Sequence, residues 1–237
     1  MIALLAAAHA GDCAQTTLAD LAETPGPAVF VLGERRGTQP DLGRAARLVA
    51  RLRASGEPVT VALQAVQADK QPVLDRYGNG EVALTDLPGL LDWQGSWGFP
   101  WTPYQRLVTG AIHGDRVVGV GLPLERQPEG AIAPRPPGYI QVLSDAMSGH
   151  YMPPQLEPAF VQTVSWLDHR TALEAMQNWS GEGYLVVVAD RLHVEGGKGI
   201  GWQLQRLVEA PVTSVLLGGP GACYDGDLYL GPPSTPP

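Results

Sequence analysis

The sequence predicts an α/β fold, a mostly parallel central sheet flanked by helices, and three observations carry that reading. Five short apolar runs, at residues 28–33, 59–64, 116–121, 184–189 and 212–217, are rich in Val and Leu and do not alternate with polar residues. Runs of this kind suit strands covered on both faces. Helical periodicity lies between them, so consecutive strands pair in parallel through crossovers. Finally, 44% hydrophobic and 17% charged residues are the composition of a packed globular chain. No composition break divides the 237 residues, so a single domain over 1–237 is expected.

The elements follow in order. The first residues form a short apolar run that ends in Ala-x-Ala at Ala8 and Ala10. It reads either as a signal-peptide remnant over 1–13, although a basic n-region is missing, or as a first strand or helix. After the strand at 28–33, residues 41–54 place Leu42, Ala45, Ala46, Val49 and Leu52 on one side, which is a helical stripe. The strand at 59–64 is followed by predicted helices at 72–77, 84–91 and 103–112, then by the strand at 116–121. Residues 124–179 contain helical patterns and no clear strand, which predicts a helical flank or cap between the third and fourth strands. Within it, 127–138 holds Pro128, Pro134, Pro136 and Pro137 and reads as an extended loop before a helix at 157–178. A strand at 184–189, a helix at 200–208 and a strand at 212–217 complete the pattern. The Pro-rich end, 231–237, is expected to fray.

Charge limits the partners. A formal charge of −8 with 16 Lys and Arg argues against a nucleic-acid surface, because phosphate binding rests on those two residues. Arg35, Arg36, Arg44, Arg47, Arg51 and Arg53 fall mostly along one predicted helix and read as a solvated face. Cys13 and Cys223 are too far apart in sequence for a zinc finger or a redox pair, and a disulfide between them requires export. No stretch reaches the length of a transmembrane helix. In an open parallel sheet, ligands sit beyond the carboxyl ends of the strands. That selects 33–36, 64–67, 121–125 and 190–198.

These strand ends, taken in order, carry a resemblance. Val31-Leu32-Gly33-Glu34-Arg35-Arg36 is similar to a first strand with a Gly-Glu-x-His motif. Val61-Ala62-Leu63-Gln64, followed by Gln71-Pro72-Val73-Leu74-Asp75, is similar to a strand ending in Glu and a Gln-Pro-x-Leu-Asp helix. Trp101-Thr102-Pro103-Tyr104, residues 117–123, the helical stretch around Asp168 and residues 185–201 continue the pattern. In this order and spacing the chain resembles the ChaN-like haem-binding family of the Tiki superfamily over about 27–230. Several polar residues depart from it. Arg36 stands at the His of the first motif and Gln64 at the strand-end Glu. Gly121, Leu124 and Arg191 replace an Asn, an Arg and an Asn, while Glu34, Asp168 and His193 remain.

The resemblance implies a non-catalytic binding protein with haem as cofactor, a tyrosine of the Tyr104 kind as iron ligand, a small acidic planar ligand as partner, a homodimer, and a cell-envelope or periplasmic location with the cytoplasm as the alternative. Tyr151 and His150 fall outside the matching positions. His193 precedes a glycine-rich segment with Lys198 that leads into a helix, where exposed amides and a cation suit a carboxylate such as a propionate. A backbone-bonded histidine and a plain flexible turn are the structural alternatives. Trp93, Trp97, Phe99, Trp101 and Tyr104 form an aromatic patch that packs either against a porphyrin or into the core. Arg35 and Arg36 could each grip a carboxylate, or Glu34 could pair with a nearby Arg. The candidate ligand-binding residues are therefore Glu34, Arg36, Gln64, Tyr104, His193 and Lys198. Asp168 and His169 are adjacent on a helix, point about 100° apart and cannot act as a dyad. A metal-dependent hydrolase using Glu34, Asp168 and His193 is the alternative, although Arg36 offers a metal no lone pair. A scaffold that has lost its site is the third reading.

Overall fold

The computed structural model describes residues 13–122, 133–147, 152–219, 224 and 228–231. The expectations for the N-terminal apolar run, the first part of the Pro-rich loop, His150, Tyr151, Cys223 and the C-terminal tail lie outside the described residues. Cys13 is disulfide-bonded.

Among the described residues, seven strands form one sheet: β1 (Ala14–Gln15), β2 (Ala28–Glu34), β3 (Val59–Gln67), β4 (Arg116–Gly121), β5 (Tyr184–Asp190), β6 (Val212–Leu217) and β7 (Leu228–Leu230). The order is β1-β7-β6-β2-β5-β3-β4, and every pairing among the described residues is parallel. The five apolar runs are the five longer strands. The two short strands, β1 at the edge and β7 beside it, were not anticipated.

Uniform burial of β2 comes from helices on both sheet faces. Phe30 and Leu32 join one core with Leu42, Leu48 and Leu52 of α2 (Gln39–Arg53) and Leu74 of α3 (Gln71–Gly78). Val29 and Val31 point the other way, into a core with Ala172 and Ala175 of α8 (Glu157–Gln177) and Ile200 and Leu204 of α9 (Ile200–Gln205). The alternation is the period-2 rule applied to a strand with two dry faces. A smaller cluster of Tyr139, Leu143, Val161 and Val164 seats α7 (Tyr139–Ala146) on α8, which supplies the helical flank between β4 and β5. No helix among the described residues is long and apolar enough to cross a membrane.

Four details differ from the expectation. A five-residue helix, α1 (Leu18–Ala22), opens with a capping box in which Thr17 Oγ1 accepts from the Asp20 amide and Asp20 accepts from the Thr17 amide. The helix expected at 84–91 shrinks to α4 (Leu87–Leu90) and is followed by α5 (Trp93–Ser96). The one expected at 103–112 divides into two 3-10 turns around α6 (Gln105–Val108). Strand β3 runs past Gln64 and shifts register against β4 between Leu63 and Gln67. That irregularity accounts for Gly121, where a Cβ would lie 2.3 Å from the Gln64 carbonyl oxygen.

The arginine stripe is also only partly solvated. Arg44 donates to buried Asp41 at 3.1 Å, and Arg35 reaches the same carboxylate at 2.9 Å. Arg53 Nε donates to buried Asp115 at 2.7 Å. Arg47 and Arg51 remain exposed. Helical spacing places these side chains on a face, but it does not show which carboxylates meet that face.

Candidate functional site at the strand carboxyl ends

Glu34 is the last residue of β2 and is only 3% exposed. The chain turns sharply after it, and Gly37, at φ +69°, returns its amide to Glu34 Oε2 at 2.7 Å. The Tyr104 hydroxyl donates to the other oxygen, Oε1. Burial is the main force on this carboxyl and, with the nearby charges of Asp190 and Asp41, outweighs the two hydrogen bonds, raising its pKa to about 7. Burial, then the Glu34 charge, pushes the Tyr104 phenol above its ordinary range, so Tyr104 acts as a donor.

Asp190 ends β5 and is the register partner of Glu34. Its amide donates to Gln64 Oε1 at 3.0 Å, its Oδ1 caps the following 3-10 turn through the Leu192 amide at 3.0 Å, and its Oδ2 accepts from Arg36 Nε at 2.9 Å. The Arg36 guanidinium also lies 5.8 Å from the centre of the Trp97 ring, in cation–π range. Trp97 is held by its own N–H, which donates to the Ala65 carbonyl at 2.6 Å.

His193 closes the turn after β5, and its Nδ1 sits 2.6 Å from Asp168 Oδ1. The Tyr139 hydroxyl donates to Asp168 Oδ2 at 2.6 Å, so α7, α8 and the β5 turn meet on one buried carboxylate. Burial alone would lower the His193 pKa. The charge and hydrogen bond of Asp168 outweigh it, Asp190 adds to them and Arg36 opposes, and the net shift is upward. His169 faces elsewhere and pairs with Gln203 at 3.1 Å, as adjacent helix positions require.

Five of the six candidates thus belong to one polar group, with Glu34 and Tyr104, Gln64 and Arg36 around Asp190, and His193 beside them. Lys198 instead donates to the Pro137 carbonyl at 3.0 Å, near the entry to α7. Asp190 and Tyr139 were not singled out in the sequence. A carboxylate directly after a strand was the available signal for Asp190, whereas Tyr139 follows a Pro-rich loop and carried none. Of the aromatic patch, Trp93, Trp101 and Tyr104 are buried core, with Trp93 ring centres 4.8 Å from Trp101 and 4.9 Å from Tyr104. Trp97 and Phe99 are half-buried beside Arg36, 5.5 Å apart. Among the described residues, no group of three or more His, Cys, Asp or Glu side chains is placed to hold a metal ion.

The group therefore offers a guanidinium next to partly exposed aromatic faces, and an imidazole whose Nδ1 is fixed by a carboxylate. Such a set suits a flat ligand with an acidic edge. No curated protein sequence matches the chain. Among solved structures, that of ChaN of Campylobacter jejuni, described by its cofacial haem binding, is similar with a TM-score of 0.66 and 17% identity. The similarity covers 86% of this chain and 85% of that one. The type III effector HopBA1 is similar with a TM-score of 0.54 and 11% identity, over 84% of this chain and 80% of that one. At these identities the likeness shows the fold. The family pattern itself matches residues 21–204, a span that contains β2 to β5, the whole polar group and α8, and on that match the chain belongs to the haem-binding uptake family of the Tiki superfamily typified by ChaN.

Proposed function

We propose that the protein binds haem at the carboxyl ends of β2 and β5, in an uptake or carrier role. The observation that carries the reading is the arrangement of Arg36 against Trp97 beside the Asp168–His193 pair, in a chain that belongs to a haem-binding family. Trp97 and Phe99 supply partly exposed flat surface, and the Arg36 guanidinium is suited to a propionate. When bound, haem would supply an iron that a protein side chain can ligate. Of the two nitrogens of His193, Nε2 is the one that Asp168 does not engage, and a carboxylate on the other nitrogen is the usual companion of a ligating imidazole.

Glu34, Gln64 and Tyr104 then act by holding the strand ends in register, and Lys198 fixes the entry to α7. The disulfide at Cys13 supports an oxidising location such as the periplasm. Haem titration of the purified protein, followed by visible absorption, tests the reading. A saturable Soret shift is expected, at one haem per chain or one per homodimer. Arg36→Ala should weaken binding about tenfold, the scale of one charge-assisted contact, and His193→Ala should change the spectrum. No saturable shift would leave a scaffold that has lost its site.

A further inference from the structure

We propose that the groove between α1 and α2, at the β1–β7 edge of the sheet, is a second binding site, for an anionic amphiphile with one acidic head and an apolar chain. It shares no described residue with the strand-end group. The cavity measures about 690 Å³, within the range of roughly 300–1,000 Å³ usual for small-molecule sites. Its walls have two kinds of chemistry.

Leu18 and Ala19 of α1 and Leu230 of β7 supply apolar surface, alongside the uncharged Gln15, Thr16, Thr17 and Gly231. Opposite them stand Arg44, Arg47 and Arg51, at positions i, i+3 and i+7 on one face of α2. Arg44 is already committed to Asp41 and to the Gly231 carbonyl. Arg47 and Arg51 are exposed and form no ion pair with a described residue, in a chain whose net charge is −8. No carboxylate among the described residues lines the groove. The start of α1 does not explain the charge, because its capping box uses Thr17 and Asp20 internally. Two uncommitted guanidiniums facing apolar surface match a carboxylate head with an aliphatic tail, and the arginine stems extend that surface.

Calorimetric titration of the full chain with sodium dodecanoate, below its micelle-forming concentration, tests the site. Saturable binding near one per chain is expected, with butyrate and inorganic phosphate at least about tenfold weaker and dodecyltrimethylammonium not bound. The double variant Arg47→Glu with Arg51→Glu changes only exposed side chains, and circular dichroism checks that its fold is kept. It should weaken dodecanoate at least about tenfold and leave the haem titration unchanged. Ala19→Asp, on the opposite wall, should also weaken it. The proposal is overturned by absent dodecanoate binding, by butyrate or phosphate binding as tightly, or by full affinity in the arginine variant. Displacement of dodecanoate by haemin would also overturn it, because one shared site would then replace two. A protein that binds dodecanoate but not haem would retain this site and lose the strand-end reading alone.

Discussion

Glu34 and Tyr104 form a buried hydrogen-bonded pair at the centre of the polar group, and the position of the proton there depends on pH. The free carboxyl titrates near 4.5 and the folded one at about 7, so between those values the folded chain binds the extra proton. Stability from this group is therefore complete below about 4.5 and is lost as pH rises through about 7. Glu34→Gln keeps the shape and removes the titration, and it should flatten this part of the pH dependence. Urea unfolding of both proteins at pH 5 and pH 8 measures it: the wild type should lose more stability than the variant on going to the higher pH. Parallel pH profiles would mean that Glu34 is solvated enough to titrate normally. The same group also holds Arg36. Its partners, Asp190 and Trp97, accept a cation and give it a fixed place.

At the scale of elements, α2 is tied to the sheet at its far end by Arg53, which clamps Asp115 just before β4. Asp115 is buried while the Arg53 side chain is 33% exposed, so the pair lies between the surface and core cases. Arg53→Met should cost about 2–4 kcal/mol, mainly because a buried carboxylate is left unpaired. Adding Asp115→Asn should recover part of that loss, and unfolding midpoints of the two single variants and the double measure the coupling. A loss below about 0.5 kcal/mol, typical of a solvated pair, would contradict the clamp. This contact marks the limit of what the sequence could disclose. The five longer strands and α2, α3 and α8 were legible because apolar runs and a helical stripe encode their own burial. Strands β1 and β7, of two and three residues, are too short to show any period. The β3 irregularity is set by how two strands meet, not by either alone. Glu34 was legible as a strand end and Arg36 as a residue just beyond it, whereas Gln64, expected at the end of its strand, lies inside β3. Their joint dependence on Asp190, and the junction of Tyr139, Asp168 and His193, arise from three distant segments meeting in space.

On the scale of the whole molecule, the strand-end group sits where the sheet is most extensively paired. Strands β2 and β5 pair over seven register positions and each has a further parallel neighbour, β6 for β2 and β3 for β5. Both faces are covered by fully buried Val, Leu and Phe side chains. By contrast, β7 pairs with β6 over three positions and with β1 over two, and the edge strand carries exposed residues. Opening free energies should follow this gradient, since local opening is cheapest where few buried contacts are lost. Amide hydrogen exchange should be slowest in Val29–Val31 and Val186–Val188, at the global limit, and fastest in Ala14–Gln15 and Leu228–Leu230. A ligand at the β2 and β5 ends would then bind a preorganised floor and change exchange mainly in the turns at 35–38 and 190–199. An amphiphile in the groove would slow exchange at the β1–β7 edge instead, because it stabilises only the conformation in which α1 is docked. Equal protection of β7 and β2 in the free protein would break this account, since it would require the short edge to be as firmly held as the centre.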